Sequence, residues 1–244
     1  MEIENRIQFL DGAMGTQLQA KGLPAGASPE LFMMEHGEIV EEVHAAYIES
    51  GSDIIYTNTF TANAKKLKNT GYTVEEIITR GVQLARSAAR KKEGVRIALD
   101  IGPIGELLEP NGYLPFEEAY ELFRQQVVAG EQAGADVIVF ETMSDLYEVK
   151  AAILAAKENT ALPVFVTMSF EADHRTFTGC TTASFALCAE GLGADAIGIN
   201  CSLGPDQILP IADELAAMSN LPLIMKANAG LPDPLTNTYS MNAQ

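Results

Sequence analysis

A chain of 244 residues, 47% of them hydrophobic, can bury one large core and fits a soluble globular protein built as a single α/β barrel or as two small domains. Its 33 acidic against 16 basic residues give a net charge of −17, a field that repels phosphate backbones and lipid headgroups and so argues against nucleic-acid and membrane partners. The start lacks the features of a signal peptide and no apolar run is long enough to span a bilayer, so a cytoplasmic compartment is expected. Three cysteines without a C-x-x-C pair encode neither a disulfide framework nor a self-contained zinc finger.

Ile7 to Leu10 is a short apolar run that stops at Asp11-Gly12-Ala13-Met14-Gly15-Thr16, which reads as a first strand and its loop. Glycines there let backbone amides approach a bound anion, and Asp11 can accept hydrogen bonds from a ligand ammonium. A tight turn with a capping aspartate explains the same residues. Ser28-Pro29-Glu30 then opens a helix, continued by Ile39, Val43, Ala46 and Tyr47 at helical spacing. His36 and His44 fall in or near this stretch and read as ordinary helix residues without a role.

One pattern recurs downstream. Around Asp53, Asp136 and Asp195 the chain repeats a glycine helix stop, an aspartate, an apolar run and a polar end, the plan of one βα junction. The gaps between these aspartates each hold two βα units, and the intervening strands are found at Val95–Asp100 and Leu162–Met168. Leu221–Lys226 supplies a seventh strand, and Pro115 to Ala133 carries the clearest helical pattern. Seven strand–helix alternations predict a (β/α)8 TIM barrel, α/β in class, truncated after strand seven. Residues 1–244 would form one domain lacking the helix, strand and helix that close it. A doubly wound open sheet is the alternative. Residues 232–244 show no strand character, and no G-x-G-x-x-G or G-x-x-x-x-G-K-[ST] pattern is present, so nucleotides are not indicated.

In a barrel the carboxyl ends of the strands converge on one mouth. Asp11, Thr57, Asn58, Asp100, Glu141, Thr142, Ser169, Asn200, Cys201 and Asn228 lie at those ends. Carboxylates and amides around a cysteine describe a polar cup suited to a zwitterion beside a thiolate or a metal. Cys201 also fits the bland reading of a small core residue. Paired acids such as Asp11 and Glu141 serve glycoside hydrolysis as well, but the chain has no Trp to form a sugar platform.

The same strand ends resemble the homocysteine S-methyltransferase family and, within it, the homocysteine-binding domains of cobalamin-dependent methionine synthases. The likeness rests on Asp11–Thr16, Thr57-Asn58-Thr59-Phe60, Asp100-Ile101-Gly102-Pro103, Glu141-Thr142, Gly198–Ser202 and Lys226–Pro232, in order at every strand end from residue 7 to about 232. It implies a zinc thiolate enzyme that methylates the homocysteine sulfur to give methionine. Cys201 matches the family's first zinc ligand and is the catalytic candidate. Asp11 and Glu141 match the acceptors of the substrate ammonium, Gly12 and Ala13 amides with Thr57 match the carboxylate side, and Asn200 belongs to the same substrate-binding cup. Asn228 stands where a neutral oxygen fills the metal's fourth position. The donor implied is methylcobalamin on a corrinoid-carrying domain or protein, with betaine or S-methylmethionine as other donors of the family.

The departure is in the metal site. The family's remaining zinc ligands are an adjacent cysteine pair at the end of strand eight, and this sequence has no Cys-Cys. Cys180 and Cys188 do not replace it by position. Either the sequence belongs to a longer enzyme, or the metal has been lost and the chain is a non-catalytic amino-acid-binding barrel. The intact remainder of the barrel mouth favours the first.

Overall fold

A computed structural model describes residues 6–90 and 92–230. Along the chain run α1 (Met14–Ala20), α2 (Pro29–Glu35), α3 (Gly37–Glu49), β1 (Ile54–Tyr56), α4 (Val74–Ala89), β2 (Arg96–Ile101) and α5 (Phe116–Ala133). They are followed by β3 (Val137–Met143), α6 (Leu146–Asn159), β4 (Val164–Met168), α7 (Thr182–Gly191), β5 (Ala196–Asn200), α8 (Pro205–Met218) and β6 (Leu223–Lys226). The six strands form one sheet in the order β1-β2-β3-β4-β5-β6, every pair parallel. An order that never reverses excludes the doubly wound sheet and is that of a TIM barrel wall.

Two expectations need correcting. The first of the seven strands is a single bridge, Leu10 to Ile54, and its ladder stops where the amide of Tyr56 bonds the Asp11 carboxylate at 2.8 Å instead of a strand carbonyl. The helix opened by Ser28 is two helices broken at His36, whose φ of −129° leaves the helical region. Gly37 at the break lies against the Arg80 guanidinium, and a Cβ there would push that flexible side chain aside. The expectation for residues 232–244 lies outside the described residues.

The repeated aspartate has a repeated physical job. Asp53 accepts from Phe9 N, Asp136 from Ile97 N at 2.7 Å, and Asp195 from Val164 N at 2.8 Å. Each carboxylate caps an amide of the neighbouring strand, and each is paired with a cation: Arg6, Arg86 and Lys157 respectively. These junctions sit at the amino ends of the strands, the face of a barrel that serves stability. Gly134, at φ 93°, ends α5 in the left-handed conformation that glycine adopts without strain.

Strand side chains divide between two cores. Ile55, Ile97, Leu99, Ile138, Phe140, Val166 and Ile197 pack outward with the helices in one large cluster. Leu10, Ile54, Tyr56, Ala98, Val137, Val139, Phe165, Ala196 and Ile224 form a second, inner one. Since every strand contributes to the inner cluster, the sheet curls around it, and both of its edges face one interior.

Candidate functional site

Alternation along the strands decides what reaches the mouth. One step of two residues beyond the inner apolar positions Ile54, Ala98, Val139, Phe165 and Ile224 stand Tyr56, Asp100, Glu141, Thr167 and Lys226, all on the inner face because strand side chains repeat with period two. Asn200 holds the equivalent place above Gly198. A Cβ on Gly198 would lie 1.9 Å from the Ile224 carbonyl oxygen, so glycine is what lets β6 close against β5. A cavity of about 1650 Å³ runs between the two edges of the sheet, from the inner apolar residues Ile54, Phe165 and Ala196 up past this layer to the mouth. Its walls run from the segment 6–16 on one side to 222–229 on the other, and it is lined by Asp11, Gly12, Ala13, Thr57, Glu141, Cys201 and Asn228. The sequence candidates therefore converge on one space, except Asn200, which lies beneath it.

Asn200 is fully engaged. Between Phe140 and Met143 strand β3 carries an extra residue relative to β4, a bulge that frees an amide from the ladder. Asn200 Oδ1 accepts that amide, Thr142 N, at 2.8 Å and the Thr167 hydroxyl at 2.8 Å. Its Nδ2 donates to Thr142 Oγ1 at 2.7 Å. Thr142 and Cys201 both have positive φ, 61° and 51°, conformations that non-glycine residues hold only when their surroundings fix them. The Cys201 amide donates to Lys226 O at 3.2 Å.

A second closed network lies under β1 and β2. Thr59 donates to the Asp100 carbonyl at 2.8 Å, Thr57 accepts from Asp100 N at 3.0 Å, and the two hydroxyls meet at 2.6 Å. Thr59 has spent its proton on the carbonyl, so Thr57 must donate to Thr59, which leaves Thr57 no proton for a ligand carboxylate. Gly12 is explained by packing: a Cβ there would meet Tyr47 Oη at 2.8 Å, and that hydroxyl donates to Ala13 O at 3.0 Å.

The acids of the cup are less well served. Asp11 Oδ2 accepts from Tyr56 N at 2.8 Å, but Asp11 Oδ1, Asp100 Oδ1 and Tyr56 Oη are buried with no partner among the described residues. Burial pushes the Asp11 pKa up to about 7, against the pull of Lys226. Burial, aided by Glu141, likewise holds the Asp100 carboxyl well above the usual carboxylate range. Sequence reasoning gave no role to Lys226, whose Nζ lies 3.4 Å from Glu141 Oε2 and 3.8 Å from the centre of the Tyr56 ring. Burial opposes its charge, yet Glu141, Asp11 and Asp100 outweigh burial and raise its pKa. Its position two residues beyond the inward Ile224 was the signal that could have found it.

Zinc does not fit what is present. Cys180 lies just before α7 and Cys188 within it, away from the cavity lining. Cys201 and Asn228 are two donors where zinc sites use at least three protein ligands. Among the described residues no group of three or more His, Cys, Asp or Glu is placed to hold a metal.

Comparison with known proteins supplies the context. The model of the family described as homocysteine S-methyltransferase matches residues 8–244. Methionine synthase of Mycobacterium leprae is 28% identical over 247 residues, covering 94% of this chain and 20% of the relative. Methionine synthase of Mycobacterium tuberculosis is also 28% identical, with 21% of its length covered. The chain thus spans about a fifth of the length of the curated relatives it matches. Among solved structures, the metallated homocysteine methyltransferase MmuM from Escherichia coli superposes with a TM-score of 0.82 over 91% of this chain and 83% of that one, at 22% identity. That likeness speaks for the fold. Among the described residues no helix is long and apolar enough to cross a membrane.

Proposed function

Because the chain belongs to the homocysteine S-methyltransferase family, we propose that residues 1–244 act as one barrel domain that binds homocysteine by its amino-acid end and offers its sulfur for methylation to methionine. The observation that carries this reading is the pair of buried, unpartnered carboxylate oxygens, Asp11 Oδ1 and Asp100 Oδ1, in a cavity that also holds Glu141 and Cys201. Buried polar atoms without partners are costly, and a ligand ammonium satisfies both with charge-assisted bonds. Asp11 and Glu141 are the acceptors we assign, with Asp100 added. The Gly12 and Ala13 amides, rather than the committed hydroxyl of Thr57, are left for the ligand carboxylate, and Asn200 acts by holding Thr142.

Methyl transfer forms a sulfur–carbon bond as the donor's bond to carbon breaks, and the thiol proton must leave first because the thiolate is the nucleophile. Methylcobalamin carried by another domain or protein is the donor that fits the likeness to methionine synthases. A zinc ion of the family's kind would need donors beyond Cys201 and Asn228. That shortage is also the observation that favours a second reading, a barrel that binds the amino acid without transferring the methyl group. Calorimetry with L-homocysteine, followed by an assay for methionine with methylcobalamin, separates them. Binding with turnover supports transfer, binding without turnover supports the second reading, and no binding refutes both.

A further inference from the structure

Glu141 of the cup meets an ammonium that the protein itself supplies, and the charges of Asp11 and Asp100 act on the same group. Lys226 Nζ carries three N–H groups, yet it reaches Glu141 Oε2 only at 3.4 Å and otherwise faces the Tyr56 ring at 3.8 Å. A lysine placed to neutralise buried acids would bond them at the shorter distances usual for charged pairs, as Lys157 bonds Asp195 at 2.9 Å. Here Asp11 Oδ1 and Asp100 Oδ1 are left without partners. Lys226 is therefore loosely held in a cavity that it shares with Asp11 and Asp100, and its side chain is 21% exposed. Its ammonium has the same charge and the same donors as the amino group of an α-amino acid.

We infer that Lys226 occupies the ammonium seat of the cup, so that an amino-acid ligand binds by displacing it from Glu141, and that Lys226 thereby sets the site's affinity and its selectivity for ligands bearing an ammonium group. The identity of the ligand rests on the homocysteine reading above, but the seat itself does not. With Lys226 in place the ligand must break an existing cation–carboxylate contact and accept a second positive charge nearby. Removing the side chain lifts both costs, and a ligand without an ammonium gains nothing from the change.

The test is Lys226→Ala, with Lys226→Met beside it in case alanine leaves too large a hole for folding. L-homocysteine should bind the variant roughly ten-fold or more tightly than the unaltered protein, the worth of one charge-assisted contact. 4-Mercaptobutanoate, the same molecule without the amino group, should bind the variant no more tightly than the unaltered protein. Equal or weaker homocysteine binding by a folded variant overturns the inference and makes Lys226 an anchor for the ligand carboxylate or for the fold. If homocysteine binds neither protein, the homocysteine reading falls and n-propylammonium decides the seat. It should raise the Tm of Lys226→Ala by about 3 °C or more and that of the unaltered protein by less than about 1 °C; equal shifts overturn the inference.

Discussion

Two polar clusters sit side by side under the barrel mouth and treat their hydrogen bonds in opposite ways. Around Asn200 every group is answered: Thr142 N, Thr142 Oγ1 and the Thr167 hydroxyl all meet the one amide. Around Lys226, Asp11 Oδ1, Asp100 Oδ1 and Tyr56 Oη are buried and unanswered. Both are built on the same sheet and at the same height, so burial alone does not separate them. A satisfied network fixes geometry, and an unsatisfied one stores affinity for something that brings the missing donors. Damage to the first should be felt in folding and damage to the second in binding and in pH dependence.

The largest effect expected is on the open cluster. The folded Asp11 carboxyl keeps its proton up to about pH 7, whereas the unfolded chain releases it near the ordinary value of 3.8. The native state therefore binds more protons across that window, and stability falls as pH rises from about 4 to about 7. The whole shift corresponds to roughly 4 kcal/mol at most. Asp11→Asn keeps an acceptor for Tyr56 N but cannot ionise, so it should match the unaltered protein in urea near pH 4 and exceed it near pH 8. Parallel pH curves for the two proteins would show that Asp11 is not the group responsible. Homocysteine binding by the variant should fall at the same time.

Asn200→Ala comes next and acts on the closed cluster. It strands the bulge amide and the Thr167 hydroxyl, two buried groups at roughly 1–3 kcal/mol each, so a loss of about 3 kcal/mol in chemical denaturation is expected. A loss below about 1 kcal/mol would mean that water replaces the amide and that the cluster is less closed than its bonds indicate. Glu141→Ala should do the reverse. Homocysteine affinity should drop about ten- to a hundred-fold, the roughly 1.5–3 kcal/mol of a bond to a charged group, while the unfolding midpoint moves far less. Unchanged affinity by calorimetry would remove Glu141 from the ammonium site.

How much of this was legible beforehand follows from which signals are local. The βα junctions at Asp53, Asp136 and Asp195 were readable because each aspartate caps an adjacent strand by a rule that repeats with the chain. The acids at the strand ends were readable because a polar residue ending an apolar run is a local contrast. The first strand was over-read, since its ladder is stopped by a bond between the Asp11 carboxylate and the amide of Tyr56, 45 residues away. Lys226 went unnoticed because it closes an ordinary strand, and only the parity of Ile224 and Lys226 inside a curled sheet brings it to Glu141. The engagement of Thr57 and Asn200 was hidden for the same reason: it depends on partners from other strands and on a bulge that no residue type announces.

The smallest effect expected concerns the two strained residues, and it divides the clusters once more. Cys201 at φ 51° pays roughly 1–2 kcal/mol for a left-handed backbone, whereas glycine adopts it freely at an entropic cost of about 0.5–1 kcal/mol. Cys201→Gly should therefore leave stability unchanged or raise it by up to about 1 kcal/mol, a shift of roughly 2–4 °C in Tm for a chain of this size. Thr142 has nearly the same φ, 61°, but its hydroxyl accepts from Asn200 at 2.7 Å. Thr142→Gly should lose stability despite the relieved backbone, because Asn200 Nδ2 is left buried without an acceptor. Opposite signs for the two glycines would place Cys201 on the ligand side of the division, a residue kept in a strained conformation for its sulfur. A loss of more than about 1 kcal/mol in Cys201→Gly would instead make the thiol a structural member of the Asn200 cluster.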